Sequence, residues 1–192
     1  FFMKYSIIVA GGSGSRMKSD MPKQFLSIAG KPIIIITLEK FLSVKDNTVI
    51  LVLPKSSFDY WENLKSGFSK EIQNIQVVEG GKTRFQSVKN GLKAITADDG
   101  LVAVHDAVRP FVSVETIEKT FETALQLQSA VVYVDSKDSI RMITNKGNEA
   151  VDRSKIKIIQ TPQTFDLKLL KEAYLLEEKS TWDCLRWASY TS

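Results

Sequence analysis

A chain of 192 residues, 43% hydrophobic and 25% charged, has the make-up of one soluble globular domain able to bury its own core, and no apolar run reaches the roughly 18 residues of a membrane span. The formal net charge of +4 comes from 26 basic and 22 acidic residues scattered along the chain, which argues against a nucleic-acid-binding surface and fits small anions. Cys184 is the single cysteine and His105 the single histidine, so an internal disulfide and a His/Cys zinc cluster are excluded and a reducing, cytoplasmic setting is expected.

Ser6 to Ala10 is expected to be a buried strand. It ends at Gly11, Gly12 and Gly14, residues that tolerate positive φ and let a ligand approach the backbone with no Cβ in the way. Arg16, Lys18 and Lys23 follow, so a loop of bare N–H donors is edged by fixed cations, as a nucleotide's triphosphate requires. A plain strand-to-helix turn would explain the glycines alone; Arg16 and Pro22-Lys23-Gln24 argue for more. A dinucleotide fingerprint counted from Gly12 fails, because Met17 stands at the third glycine and no acidic residue closes Leu51-Val52-Leu53. Gly81-Lys82-Thr83 is not a Walker loop, because Gln76 replaces its first glycine.

Strand-like and helix-like runs then alternate, which predicts an α/β fold with a mostly parallel sheet and helices on both faces. A helix over Ile33 to Ser43 follows Pro32, Val49 to Leu53 is the second strand, and Ser56 to Ser66 is a second helix whose Phe58, Trp61 and Leu64 face the core. Ile75 to Val78 is a third strand. Thr83 and Gln86 form a capping-box pattern ahead of a helix with the stripe Phe85, Val88, Leu92 and Ile95. Leu101 to Val104 delivers His105-Asp106-Ala107-Val108-Arg109-Pro110 to the carboxyl end of the sheet, where open α/β folds bind ligands.

A helix from Val114 to Leu127, with Ile117, Phe121 and Leu125 on one stripe, leads to a buried strand at Ala130 to Val134. From Asp135 to Ile159 the alternation breaks, and Ser139 to Thr144 and Ala150 to Val151 flank the hairpin turn Asn145-Lys146-Gly147-Asn148. The expectation is a projecting β-arm; too thin to bury a core, it suits packing against a second subunit, the alternative being a surface hairpin with no partner. Lys157 to Gln160 returns to the sheet, Thr161 to Phe165 bends, and Asp166 caps a last helix through Leu170, Ala173, Tyr174 and Leu176.

Taken together, Ala10 to Arg16, Pro22-Lys23-Gln24, His105 to Pro110, Val151-Asp152-Arg153 and Gln160-Thr161-Pro162-Gln163 give the chain its likeness: from about Lys4 to about Glu178 it resembles the 2-C-methyl-D-erythritol 4-phosphate cytidylyltransferases of non-mevalonate isoprenoid biosynthesis. The ribitol 5-phosphate cytidylyltransferases share the first three blocks, while Ser139 and Val151-Asp152-Arg153 favour the former.

The resemblance implies a three-layer, Rossmann-like nucleotidyltransferase fold and a magnesium-dependent transfer of a cytidylyl group from CTP to a sugar-alcohol phosphate, with pyrophosphate released. It makes Arg16 and Lys23 the catalytic cations and places the nucleotide against Ala10, Gly11, Gly12, Gly14, Gly80, Gly81 and Ser87. Asp106 becomes the Mg2+ ligand, with a turn or helix cap as its plain structural alternative. Asp106, Arg109, Ser139 and Arg153 become the methylerythritol phosphate site, the last two reaching a partner's site in a homodimer; Ser139 stands where Thr is common and Lys82 where some members have Asp. The family's acidic Thr-Asp-Asp-Ala-Ser block and later Asn-Ile-Lys strand have no counterpart, since Ser180 to Ser192 carries Trp182 and Trp187 instead. That tail is expected to be foreign to the fold, through truncation or a shifted reading frame. The alternatives are therefore a pentitol 5-phosphate acceptor or a catalytically weak nucleotide-binding subunit.

Overall fold

The computed structural model of the chain describes residues 2–10, 21–145 and 147–177. The strands are β1 (Lys4–Val9), β2 (Ser27–Ile28), β3 (Lys31–Pro32), β4 (Asn47–Leu53), β5 (Gln76–Glu79), β6 (Leu101–Asp106), β7 (Ser129–Asp135), β8 (Ile140–Thr144), β9 (Gly147–Val151) and β10 (Lys157–Asp166). The helices are α1 (Ile33–Leu42), α2 (Phe58–Lys65), α3 (Lys70–Gln73), α4 (Arg84–Lys93), α5 (Val114–Leu127) and α6 (Leu167–Glu177). None of the described helices is long and apolar enough to cross a membrane.

Six strands form one sheet in the order β5-β4-β1-β6-β10-β7. β1 pairs in parallel with β4 and β6, and β4 with β5, whereas β10 runs antiparallel to both β6 and β7. The mostly parallel sheet expected from the alternating elements is therefore present, with β10 reversed.

Alternation along the central strands divides the core between two faces. Ile8, Leu51 and Ala103 join Ile34, Leu38 and Phe41 of α1, Trp61 of α2 and Ile117 and Phe121 of α5 on one face. Ile7, Val9, Val52, Val102 and Val104 meet Val88 and Leu92 of α4 and Leu167 and Leu170 of α6 on the other. This gives three layers, helices over sheet over helices. α4 lies close to the sheet because Gly91 faces it: a Cβ there would come within 2.7 Å of Ile7 Cγ2, deep in the core.

Four local expectations are corrected. Ala130 to Val134 is not buried throughout, because β7 is an edge strand of the described sheet and Tyr133 and Val134 on it are exposed. Thr161 to Phe165 is not a bend outside the sheet; it belongs to β10, whose register shifts between Ile159 and Gln163. A bulge there accommodates Pro162, which has no N–H for the ladder. Leu125 and Leu176 are exposed and not on the buried stripes, which run through Ala124 in α5 and through Leu170 and Ala173 in α6. The Asp166 cap is present, with Leu169 N–H donating to its Oδ1 over 3.0 Å.

Among the described residues β8 and β9 pair only with each other, in register from Ile140↔Val151 to Thr144↔Gly147, so the expected arm is a two-stranded ribbon apart from the main sheet. Lys146 in its turn lies outside the described residues. Met142 and Ile143 on this ribbon are 54% and 81% exposed, and Tyr133, Val134, Ile158 and Ile159 beside it are also exposed.

Candidate active site

Parallel strands that end side by side leave a crevice at their carboxyl ends, and here it is a cleft of about 710 Å³. Val9 and Ala10 form its floor, Pro54, Ser56 and Ser57 one side, Gly80 to Arg84 and Ser87 a second, and Asp106 and Val108 the third. Pro22 and Gln24 complete the lining.

The turn between β5 and α4 is held by a short network. Gly80 N–H donates to Leu53 O over 2.8 Å, and Ser87 Oγ accepts from Gly81 N–H and donates to Thr83 O. Thr83 caps α4 as expected, its Oγ1 accepting from Gln86 N–H over 3.1 Å. The capping box is not reciprocal: Gln86 Oε1 accepts from Lys82 N–H instead. The physical reason lies at Gly81, where a Cβ would fall 2.2 Å from Gln86 Cβ, so the turn packs directly on the first turn of α4. Of the expected nucleotide residues, Ala10, Gly80, Gly81 and Ser87 all line the cleft. Gly11, Gly12, Gly14 and Arg16 lie outside the described residues, as does the stretch from Ser180 to Ser192.

Opposite this turn, β6 ends in Asp106, whose N–H donates to Thr161 Oγ1. Both carboxylate oxygens accept from guanidinium groups: Oδ1 from Arg84 Nε and Nη2 over 3.2 and 3.1 Å, Oδ2 from Arg109 Nε over 3.1 Å. Arg109 is itself bonded to Gln160 Oε1, and its N–H donates to Asp106 O. Of the plain alternative for Asp106, the turn is present through its backbone carbonyl, while its side chain caps no described helix and makes two ion pairs instead. Its carboxylate is an oxygen-only donor facing the cleft.

Lys23 opens a short 3-10 turn, Lys23–Phe25, that buries Gln24 and Phe25. Phe25 packs against Tyr60 with ring centroids 4.4 Å apart, which holds the turn, and Lys23 itself is exposed between two lining residues. Gln24 Nε2 is buried with no acceptor among the described residues. Ser139 and Arg153 are elsewhere. Both are exposed at the base of the ribbon, Arg153 Nη1 donates to Lys137 O over 2.9 Å, and neither lines the cleft of its own chain.

His105 precedes Asp106 and, by strand alternation, points into the core, its ring 4.8 Å from that of Phe41. Nε2 donates to Arg109 O over 3.1 Å, so the proton sits there, and Nδ1 is buried without a partner among the described residues. Burial pushes the imidazole down to about 4, only partly opposed by the Arg109 carbonyl and the Asp106 charge. A histidine near 6.5 when unfolded and near 4 when folded contributes stability above pH 6.5 that is lost as the pH falls towards 4. The loss is on the order of 3 kcal/mol. Urea unfolding between pH 7 and pH 4.5 is expected to show a steeper decline for the parent than for His105→Gln; parallel declines would assign the pH dependence to other groups.

Arg84 is a site residue not singled out from the sequence, and Gln160 was named only within a family block, with no role in the site. One signal for Arg84 was present: α4 has no acidic residue in its first turn and begins with a cation, against the preference of the helix dipole. For Gln160 the signal was its membership of the block Gln160-Thr161-Pro162-Gln163, which gave no hint of its contact with Arg109.

The family model described as 2-C-methyl-D-erythritol 4-phosphate cytidylyltransferase matches residues 5–189. The chain is similar to the protein of that description from Bacteroides thetaiotaomicron, with 47% identity over 174 residues, 90% of this chain and 78% of the relative. Its similarity to the one from Porphyromonas gingivalis is 46% over 184 residues, 94% of this chain and 81% of the relative. Among solved structures, the 4-diphosphocytidyl-2C-methyl-D-erythritol synthase of Anaerococcus prevotii superposes with a TM-score of 0.82 at 31% identity, covering 96% of this chain and 78% of that one. The Francisella tularensis cytidylyltransferase gives 0.74 at 30% identity, over 92% and 78%. With a family model matching residues 5–189 and relatives 46–47% identical over nine-tenths of its length, the chain belongs to the 2-C-methyl-D-erythritol 4-phosphate cytidylyltransferase family.

Proposed function

We propose that the chain transfers a cytidylyl group from CTP to 2-C-methyl-D-erythritol 4-phosphate, giving 4-diphosphocytidyl-2-C-methyl-D-erythritol and pyrophosphate for non-mevalonate isoprenoid biosynthesis. The observation that carries this reading is the cleft itself, with a glycine turn on one wall and Asp106 between two arginines on the other. A phosphate oxygen of the acceptor attacks the α-phosphorus while the bond to the bridging oxygen of pyrophosphate breaks. No protein nucleophile is needed, and His105, buried and neutral, is not placed to serve as one. Negative charge grows on the phosphoryl oxygens in the transition state, so preorganised cations do most of the work. Arg16 and Lys23 are assigned that role.

Asp106 suits Mg2+, a hard cation held by one or two carboxylates plus substrate phosphates, and no cluster of three His, Cys, Asp or Glu side chains exists among the described residues for a metal that needs a full protein cage. When bound, Mg2+ would neutralise charge on the triphosphate. Ala10, Gly80 and Gly81, which line the cleft, are assigned to the cytosine base, with a purine expected to be excluded by the tight backbone there. Ser139 and Arg153, apart from their own cleft, are assigned to the acceptor phosphate in the cleft of a second copy, and the exposed apolar side chains of the ribbon, Met142 and Ile143, suit a homodimer contact.

Pyrophosphate release is the direct test, with CTP and Mg2+ and either methylerythritol phosphate or ribitol 5-phosphate as acceptor. Release with the first alone is expected. Preference for ribitol 5-phosphate would move the chain to the pentitol enzymes, and no release with either would overturn the assigned reaction.

A further inference from the structure

We propose that Arg84 is a phosphate-binding residue of the cleft, stored on Asp106 until nucleotide arrives; this rests on the cytidylyltransferase reading. The sheet order places β4 and β1 between β5 and β6, so Arg84, just after β5, reaches Asp106 past the ends of two strands. Three strand spacings, roughly 14 Å, separate the elements it joins. The ion pair therefore spans the mouth of the cleft.

The backbone of Arg84 is fixed by the Thr83 cap and by the Gln86 bond to Lys82 N–H, but its side chain is 46% exposed. Its only side-chain hydrogen-bond partner among the described residues is Asp106 Oδ1. Arg109, by contrast, is also held by Gln160 and by its backbone turn. A cation that takes an Asp106 oxygen thus displaces Arg84 more easily than Arg109. A half-exposed ion pair contributes little to stability, so little opposes the exchange.

Once freed, the guanidinium stays at the first turn of α4, beside the cleft and near the positive end of the helix dipole. A cation gains nothing from that position; an anion bound there gains from both. The planar fork of donors matches phosphate oxygens two at a time. Arg84 and Asp106 are therefore each other's counter-ion in the empty cleft and exchange partners on loading, the carboxylate turning to the metal and the guanidinium to the triphosphate.

The test is CTP binding by titration calorimetry in buffer containing Mg2+, with Mn2+ binding in the absence of nucleotide followed by electron paramagnetic resonance. Arg84→Gln, checked for an unchanged unfolding midpoint, is expected to bind CTP about tenfold more weakly, with Arg84→Lys in between. It is expected to bind Mn2+ alone at least as tightly as the parent, because a competitor for Asp106 is gone. Equal CTP affinity for parent and Arg84→Gln, or weaker Mn2+ binding by the variant, would overturn the Arg84 assignment and leave the cytidylyltransferase reading standing. A parent that binds no CTP would overturn both.

Discussion

Lys23→Ala is expected to lower the rate of pyrophosphate release by about 10²–10³, equivalent to ~3–4 kcal/mol of lost transition-state stabilisation, and Arg16→Ala to do the same. Lys23 is exposed on a turn whose buried anchors are Gln24 and Phe25, so truncating it removes charge without disturbing packing. Folding is accordingly expected to be unchanged, with an unfolding midpoint equal to the parent's. The effect should fall on kcat more than on KM, because charge on the phosphoryl oxygens peaks in the transition state. Stopped-time assays at saturating CTP would show this. Equal turnover by variant and parent would remove Lys23 from the chemistry and leave it a solvated surface lysine.

Asp106→Asn is expected to cost on the order of a hundredfold in rate, about 3 kcal/mol, and to shift the Mg2+ titration to higher concentration. The amide keeps the shape of the side chain but loses the charge, so Arg84 and Arg109 lose their counter-ion as well. Side-chain exposure of 25% for Asp106 and about 45% for its partners keeps those pairs partly in water, and stability is expected to change by no more than about 1 kcal/mol. A large rate loss with a small stability loss is thus the signature of a metal ligand. An unaltered Mg2+ titration would make Asp106 a tether for the two arginines and nothing more.

Local periodicity and punctuation were enough to place the longer elements, whereas β2, β3 and α3 were not anticipated. Ile33 to Leu42 and the central strands carry their burial in their own spacing, and Thr83 and Asp166 mark their helices by side-chain oxygens that need only a neighbouring N–H. The motif blocks identified the family for the same reason: each is a short run whose chemistry is complete in sequence. The role of the loop from Gly11 to Arg16 was read from sequence alone and lies outside the described residues.

What the sequence could not decide are contacts set by the order of strands and not by distance along the chain. Arg84 and Asp106 are 22 residues apart and meet only because β5, β4, β1 and β6 lie side by side with their carboxyl ends together. Gln160 reaches Arg109 only because β10 runs antiparallel along β6 and is bulged next to it. His105 alternates inward with Leu101 and Ala103, but it is neutral because packing that includes Phe41 of α1 removes its ring from water. Ser139 and Arg153 fall outside their own cleft because β8 and β9 leave the sheet as a separate ribbon. Residue types and local spacing determined which chemistry the chain can carry; the packing of strands and helices decided which charges face each other and which are taken out of water.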